Sequence, residues 1–431
     1  MSLTTRTGIV SALAAAALLN LTVATAAVTF IGEGAIPGTA RDQSGLSGLL
    51  EDRVTPHDLA GGFGSAIAYT GRKNLFVATP DRGPADGTTR YVDRFYTIAI
   101  DLKRIDAGRY QITPRIVATK LMRAGAKSYF TGFNEAFDET GSPQSARLEP
   151  EGVRVSRCGN TAFVSDEYGP YLYEFDLDNG RRLRSLNLPN KFLIDFPSFV
   201  PSDELAFNAF GRQANRGMEG LAISPNGSKL YGIMQSPLIQ DGGLDLNLSR
   251  VGTNNRIVEI DVDTGDVREF LYRMDDRGNG LSEIVALNDQ EFLVLERDGR
   301  AGAAARFKKI FKIDIAGATD IRAVKQLPVS TIPAGIVPVA KSLFIDMLDP
   351  AYGLAGATFP EKLEGLTFGP DLDDGRHLFI VTNDNDFIQS QPSRFFAFAI
   401  DRGDLNYQPQ QTSGRGRGGP KCRSQDGDDD D

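Results

Sequence analysis

The chain has 431 residues, 47 Lys and Arg against 56 Asp and Glu, a formal charge of −9, two Cys and two His. A hydrophobic content of 41% supports a sizeable core and excludes a wholly disordered chain. The acidic balance argues against a nucleic-acid binder, and His57 and His377 alone leave little room for zinc sites or histidine-dependent catalysis. Residues 1–26 read as a secretory signal: Arg6, an apolar stretch, then Ala24-Thr25-Ala26. No later segment is long and apolar enough to be expected to span a bilayer. From residue 28 onward the pattern is short β-branched and aromatic runs split by Gly, Pro, Asn and Asp turns, which predicts an all-β fold.

One phrase repeats in the body. It reads Pro150-Glu151-Gly152-Val153, Met218-Glu219-Gly220-Leu221 and Leu363-Glu364-Gly365-Leu366, with a weaker copy at Leu281-Ser282-Glu283-Ile284. The Glu-to-Glu steps of 68, 64 and 81 residues suit one four-stranded blade plus loops. Each phrase opens a predicted hairpin, as in 219–223, the turn Pro225-Asn226-Gly227, and 229–233. Third strands are predicted at 171–177, 256–262, 307–315 and 394–400. A first unit begins near Gly64 without the Glu. The expected fold is therefore a β-propeller of five to six four-stranded blades over residues 27–404. A sixth blade would be sought near 342–346, and residues 28–31 would close the ring. Residues 405–431, with their Gly/Arg stretch and four final aspartates, are expected to form a disordered tail. Cys422 in that tail is a possible disulfide partner for Cys158 in an oxidising compartment.

Hairpin geometry places the residues after each returning strand beside the start of the first strand. The loops so selected are acidic: Asp81 with Arg82; Asp166 and Glu167; Glu296, Arg297 and Asp298; Asn383, Asp384 and Asp386. The expected arrangement is an inner ring of Glu151, Glu219, Glu283 and Glu364 with these side chains just outside it. So many close carboxylates need compensation. A hard divalent cation with oxygen ligands supplies it, and Ca²⁺ suits that donor set. The competing expectation is a structural ring of ion pairs with Arg82, Arg216, Arg297 and Arg394. Those arginines are also candidate forks for phosphate or carboxylate. Neither a Gly-x-Ser-x-Gly elbow nor a dinucleotide fingerprint occurs.

Several motifs together resemble the phytase-like propeller family described as esterase-like activity of phytase. They are Thr79-Pro80-Asp81-Arg82-Gly83-Pro84 with Arg94-Phe95-Tyr96-Thr97, Glu149-Pro150-Glu151-Gly152, Ser165-Asp166-Glu167-Tyr168-Gly169-Pro170, Asn215-Arg216-Gly217-Met218-Glu219-Gly220, and Lys362-Leu363-Glu364-Gly365. The resemblance implies an exported hydrolase of phosphate or ester substrates. On this reading Glu151, Glu219, Arg82 and Arg216 are candidate catalytic residues. Arg297, Arg394 and Tyr168 are candidate substrate contacts, and a metal-bound water is the nucleophile. Phytate-like phosphomonoesters are the first substrate class, with a metal-dependent esterase or lactonase as the alternative. A non-enzymatic, calcium-stabilised binding module is the third reading. A monomer acting on a small substrate is expected.

Overall fold

The computed structural model describes residues 28–136, 146–169 and 171–412. The signal segment and the aspartate run lie outside the described residues. The first strand, β1 (Val28–Ile36), stands apart from the blades that follow it in sequence. Blade 1 comprises β2 (Ala66–Arg72), β3 (Leu75–Thr79), β4 (Arg94–Asp106) and β5 (Arg109–Leu121). Blade 2 comprises β6 (Pro150–Val155), β7 (Thr161–Asp166), β8 (Tyr171–Asp176) and β9 (Arg182–Leu186). A short helix, α1 (Pro201–Phe207), lies in the connection to blade 3. Blade 3 holds β10 (Met218–Ile223), β11 (Lys229–Met234), β12 (Asn254–Asp261) and β13 (Val267–Arg273). Blade 4 holds β14 (Gly280–Ala286), β15 (Glu291–Arg297), β16 (Lys308–Asp314) and β17 (Ala340–Asp346). Blade 5 holds β18 (Lys362–Phe368), β19 (His377–Asp384) and β20 (Ser393–Ile400).

Blade 5 takes its fourth strand from the other end of the chain. β1 pairs antiparallel with β20, from Val28 opposite Ile400 to Ile36 opposite Ser393. The ring thus has five blades, and the segment at 342–346 is the outer strand of blade 4 rather than a sixth blade. The inner strands β6 and β10 are buried at every residue, because they face the channel and their neighbours at once. The outer strand β5 alternates exposed and buried residues over 109–114, since one face meets water. Apolar side chains fill the wedges between blades. Ile67, Phe76, Ile98, Leu378, Ile380 and Ala397 join blades 1 and 5.

The glycine of the repeated phrase has a packing reason. A Cβ on Gly152 would lie 2.7 Å from Leu221 Cβ, and one on Gly220 2.7 Å from Glu283 Cα. Neighbouring inner strands approach too closely there for any side chain.

Two features close the channel. The Arg154 guanidinium reaches across it from blade 2. It donates to the carbonyls of Ile67 (3.1 Å) and Ile284 (2.8 Å) and pairs with Glu283 (2.9 Å). Beyond it, at the C-terminal ends of the inner strands, residues 405–412 run across the ring. Asn288 donates to the Asn406 carbonyl, the Gln408 amide to Leu287 and the Gln411 amide to Pro225, while Gln410 donates to Val155. The Tyr407 ring stacks on Phe368 at 3.9 Å. The disordered tail expected from residue 405 is corrected over 405–412: backbone and ring contacts hold this strap to the blades. A cavity of about 100 Å³ lies beneath it, with Arg154 and Tyr407 in its lining. Cys158 is disulfide-bonded, and Cys422 lies outside the described residues.

Candidate functional site

The opposite mouth, at the N-terminal ends of the inner strands, carries the acidic chemistry. One residue bulges from the strand register in blades 2 to 5. Pro150 faces Asp166 and Gly152 faces Ser165, so Glu151 has no cross-strand partner. The same skip occurs at Glu219 and Glu364. In blade 4 the skipped residue is Ser282, and Glu283 stands where the other blades have glycine. A bulge re-aims its side chain, and the three skipped glutamates interact electrostatically with one another. Glu283 does not join them. It accepts from the Leu221 and Ile284 amides at 3.0 and 2.9 Å and pairs with Arg154. The expected four-membered ring is corrected to Glu151, Glu219 and Glu364. Ser65 of blade 1 donates to Glu364 at 3.5 Å.

A second tier lies two residues beyond the one opposite each glycine position. It reads Asp81, Glu167, Gln235, Arg297 and Asp384 around the ring. The acids collect on blades 1, 2 and 5. Asp81, Asp384 and Asp386 each offer one carboxylate oxygen within 4.8 Å of the others, as do Glu149, Glu151 and Glu167. Basic residues only partly offset them. Arg82 lies 3.3 Å from Glu149 and also pairs with Asp86. Lys362 bridges Asp384 (3.5 Å) and Asp386. Arg297 pairs with Glu364, and Arg216 donates to the Gln235 amide oxygen.

Burial in company pushes these acids upward. Desolvation is the leading cause at Glu149, Glu151, Glu167 and Asp384; neighbouring carboxylates add to the rise while Arg82 opposes it at Glu149 and Lys362 at Asp384, and all four rise well above the usual carboxylate range. Glu219 is pushed up to about 7 by burial and then by Glu364. Glu167 and Glu219 face one another closely enough to share a proton. Asp166 rises to about 6 through burial. Its Oδ1 accepts from the Glu149 and Tyr168 amides at 3.0 and 3.1 Å, so it shapes the acidic loop. Glu149 Oε2, Glu167 Oε1 and Glu219 Oε2 are buried without a hydrogen-bond donor. Carboxylate oxygens left this way fit a hard cation, whose oxygen ligands these residues would supply.

Other expected site residues sit elsewhere. Glu296 accepts from Tyr272 (3.0 Å), the Asp275 amide (2.8 Å) and Asn279 (2.8 Å), and pairs with Lys341 (2.8 Å). Asp298 accepts from the Arg306 and Phe307 amides and pairs with Lys308 at 3.1 Å. Asn383 accepts from the Arg394 amide at 2.7 Å, and Arg394 pairs with Glu33 of β1. Alternation explains Glu296 and Asn383: each precedes its blade's second-tier residue, so it faces the other side of the strand. Tyr168 is buried, donates to the Gly132 carbonyl (2.8 Å), and lies beneath the Arg147 guanidinium at 4.1 Å. Glu149 and Lys362 were not among the expected site residues. Each stands two residues before a ring glutamate, on the same strand face, which is the signal that reveals them.

The Phytase-like family model, described as esterase-like activity of phytase, matches residues 59–387. The chain belongs to that family. A relative described as an uncharacterized secreted protein, from Arthroderma benhamiae, is 27% identical over 348 residues. That match covers 64% of each chain, so this protein spans less than two thirds of the relative's length. Solved structures with weak likeness include Kuenenia stuttgartiensis hydrazine synthase, at 14% identity and TM-score 0.31, covering 74% of this chain and 64% of that one. Glutaminyl cyclase from Myxococcus xanthus has 11% identity and TM-score 0.35, covering 86% and 97%. Likenesses that distant carry no functional argument. Among the described residues no helix is long and apolar enough to cross a membrane.

Proposed function

We propose that the protein is an exported, calcium-dependent hydrolase of small phosphomonoesters, acting as a monomer at the acidic mouth. The observation that carries this reading is the pair of carboxylate clusters, buried except for Asp386, with oxygens lacking donors. Glu149, Glu151 and Glu167 would hold one ion, and Asp81, Asp384 and Asp386 another. Bound there, Ca²⁺ would neutralise phosphate oxygens and acidify water. The chain's own residues do the rest. Glu219, pushed up to about 7 by burial and by Glu364, can accept or release a proton near neutral pH. Arg216, whose side chain donates to Gln235, is placed to meet developing negative charge. Arg297 and Lys362 hold Glu364 and Asp384 in position.

The test is phosphate release from a panel of monoesters, phytate included, with Ca²⁺ and with chelator. Glu151→Gln combined with Glu219→Gln is expected to abolish turnover while leaving the melt cooperative. Full activity in the double variant would remove this mouth as the site. The family description favours one second reading, an esterase acting on uncharged esters. Turnover of p-nitrophenyl acetate without phosphate release would select it.

A further inference from the structure

The two carboxylate clusters of the mouth meet different cations. Arg82 pairs with the Glu149–Glu151–Glu167 cluster, but only through Nε, 3.3 Å from Glu149 Oε1 and without a hydrogen bond. Its Nη2 is committed to Asp86 on its own loop. Nothing donates to Glu149 Oε2 or Glu167 Oε1. In the Asp81–Asp384–Asp386 cluster the cation is an ammonium. Lys362 stands directly across from Asp384 in the β18–β19 pair. Its Nζ lies 3.5 Å from Asp384 Oδ2 and donates to Asp386 Oδ1, so it touches two of the three carboxyls.

The backbone around this second cluster leaves oxygens for a cation. Asp81 Oδ1 accepts from the Gly83 amide at 2.9 Å, and Asp384 Oδ1 from the Asp386 amide at 2.7 Å. Asp384 Oδ2 is buried and receives no hydrogen bond, even from the ammonium beside it. The ammonium therefore fills the site incompletely. It is a compact charge with three N–H donors on a flexible stem. Ca²⁺ instead takes about 6–8 oxygens. Both need the same carboxyls, and two cationic centres on one set of oxygens repel. The Lys362 side chain is 28% exposed, so it has a way out toward solvent.

We propose that Lys362 is a resident counter-ion that competes with Ca²⁺ for the Asp81–Asp384–Asp386 site. The two clusters then load unequally: the glutamate cluster first, the aspartate cluster only at higher free Ca²⁺, as the ammonium swings out. Ca²⁺ as the competing ion rests on the calcium-dependent reading proposed above. With the ammonium in place, the aspartate site should bind in the range of about 10⁻⁴–10⁻³ M that extracellular calcium modules occupy. Full loading then waits for the calcium-rich surroundings that an exported protein meets.

Calorimetric titration of the full chain with CaCl₂ reads both sites without any substrate. Wild type is expected to show two steps, the second at least about tenfold weaker than the first. Lys362→Met should tighten the second step about tenfold or more and leave the first in place, because the like charge is gone. Lys362→Arg keeps the charge and should stay near wild type. Two variants carry the test with Lys362 intact. Glu151→Gln should lose the tight step and keep the weak one, and Asp386→Asn should do the reverse. Two equal steps in wild type, or a second step in Lys362→Met no tighter than in wild type, overturn the competition while calcium binding itself stands. Tight binding that survives in Glu151→Gln overturns it as well. A single step in wild type, joined by a second in Lys362→Met, supports it. If wild type binds no calcium and Lys362→Met gains one site, the counter-ion stands and the calcium-dependent reading falls. No binding in any of these proteins overturns both.

Discussion

Arg154→Met tests how the channel is closed, and its cost can be worked from the contacts. The variant removes the donor from the Val153, Ile67, Ile284 and Leu366 carbonyls and the ion pair with Glu283. Each lost hydrogen bond costs about 1 kcal/mol, giving about 4 kcal/mol at any pH. The charge contribution depends on pH. Burial holds the Glu283 carboxyl up at about 7 although Arg154 opposes that rise. A raised acid binds more protons in the folded chain, so stability falls as pH climbs from about 4.5 through the folded value. At pH 6 Glu283 is largely protonated with or without Arg154. At pH 9 wild type has an ionised, paired Glu283, whereas the variant has a buried carboxylate with two amide donors. Breaking a buried pair costs about 3–5 kcal/mol, and the remaining donors place this case at the low end. With about 2 cal/mol/K of unfolding entropy per residue, the ring should lose about 5 °C at pH 6 and about 9 °C or more at pH 9. Thermal melts of wild type, Arg154→Met and Arg154→Met/Glu283→Gln at both pH values read this directly. Other carboxyls titrate alike in each protein and cancel. Equal losses at pH 6 and pH 9, or a pH-dependent loss that survives Glu283→Gln, would refute the reasoning.

In chelator the raised Glu219 and Asp166 carboxyls should make the protein less stable at pH 8 than at pH 5, and Ca²⁺ should remove most of that difference; melts at the two pH values with and without the ion check it. Gly220→Ala should cost about 1–3 kcal/mol by forcing a methyl against the Glu283 backbone, read as a lower melting temperature. Tyr407→Ala should cost about 3–5 kcal/mol by removing the ring stacked on Phe368, with turnover at the far mouth unchanged.

Much of the fold was legible because each blade repeats its hairpin, and because strand alternation and turn residues are local signals. Closure by β1 was legible from a lone strand before the first unit. The ring position in blade 4 was misread for an instructive reason. Aligning Glu283 with the other glutamates ignored the apolar frame around it. Leu281 and Ile284 match Met218 and Leu221, which sets Ser282 at the ring position and Glu283 at the glycine position. The strap was misread because its Gln, Asn and Pro content resembles a solvated tail, and the contacts that fix it come from segments far away in sequence. Pairings such as Arg82 with Glu149 depend on which loops the ring brings together, so composition could not reveal them.

The pairing of β1 with β20 also orders events in time. In a chain made from its N-terminus, residues 28–36 wait for partners at 393–400 that emerge only after the strands of blades 1 to 4. Until then blade 5 has no outer strand and the ring is an open arc with two unsatisfied edges. Four blades can assemble as they emerge, but the mouth spans both sides of the closing seam: Asp81 lies on one side and Asp384 on the other. Assembly of that Asp81–Asp384–Asp386 cluster is therefore a late event, and a nascent chain lacks it until its last strand has docked.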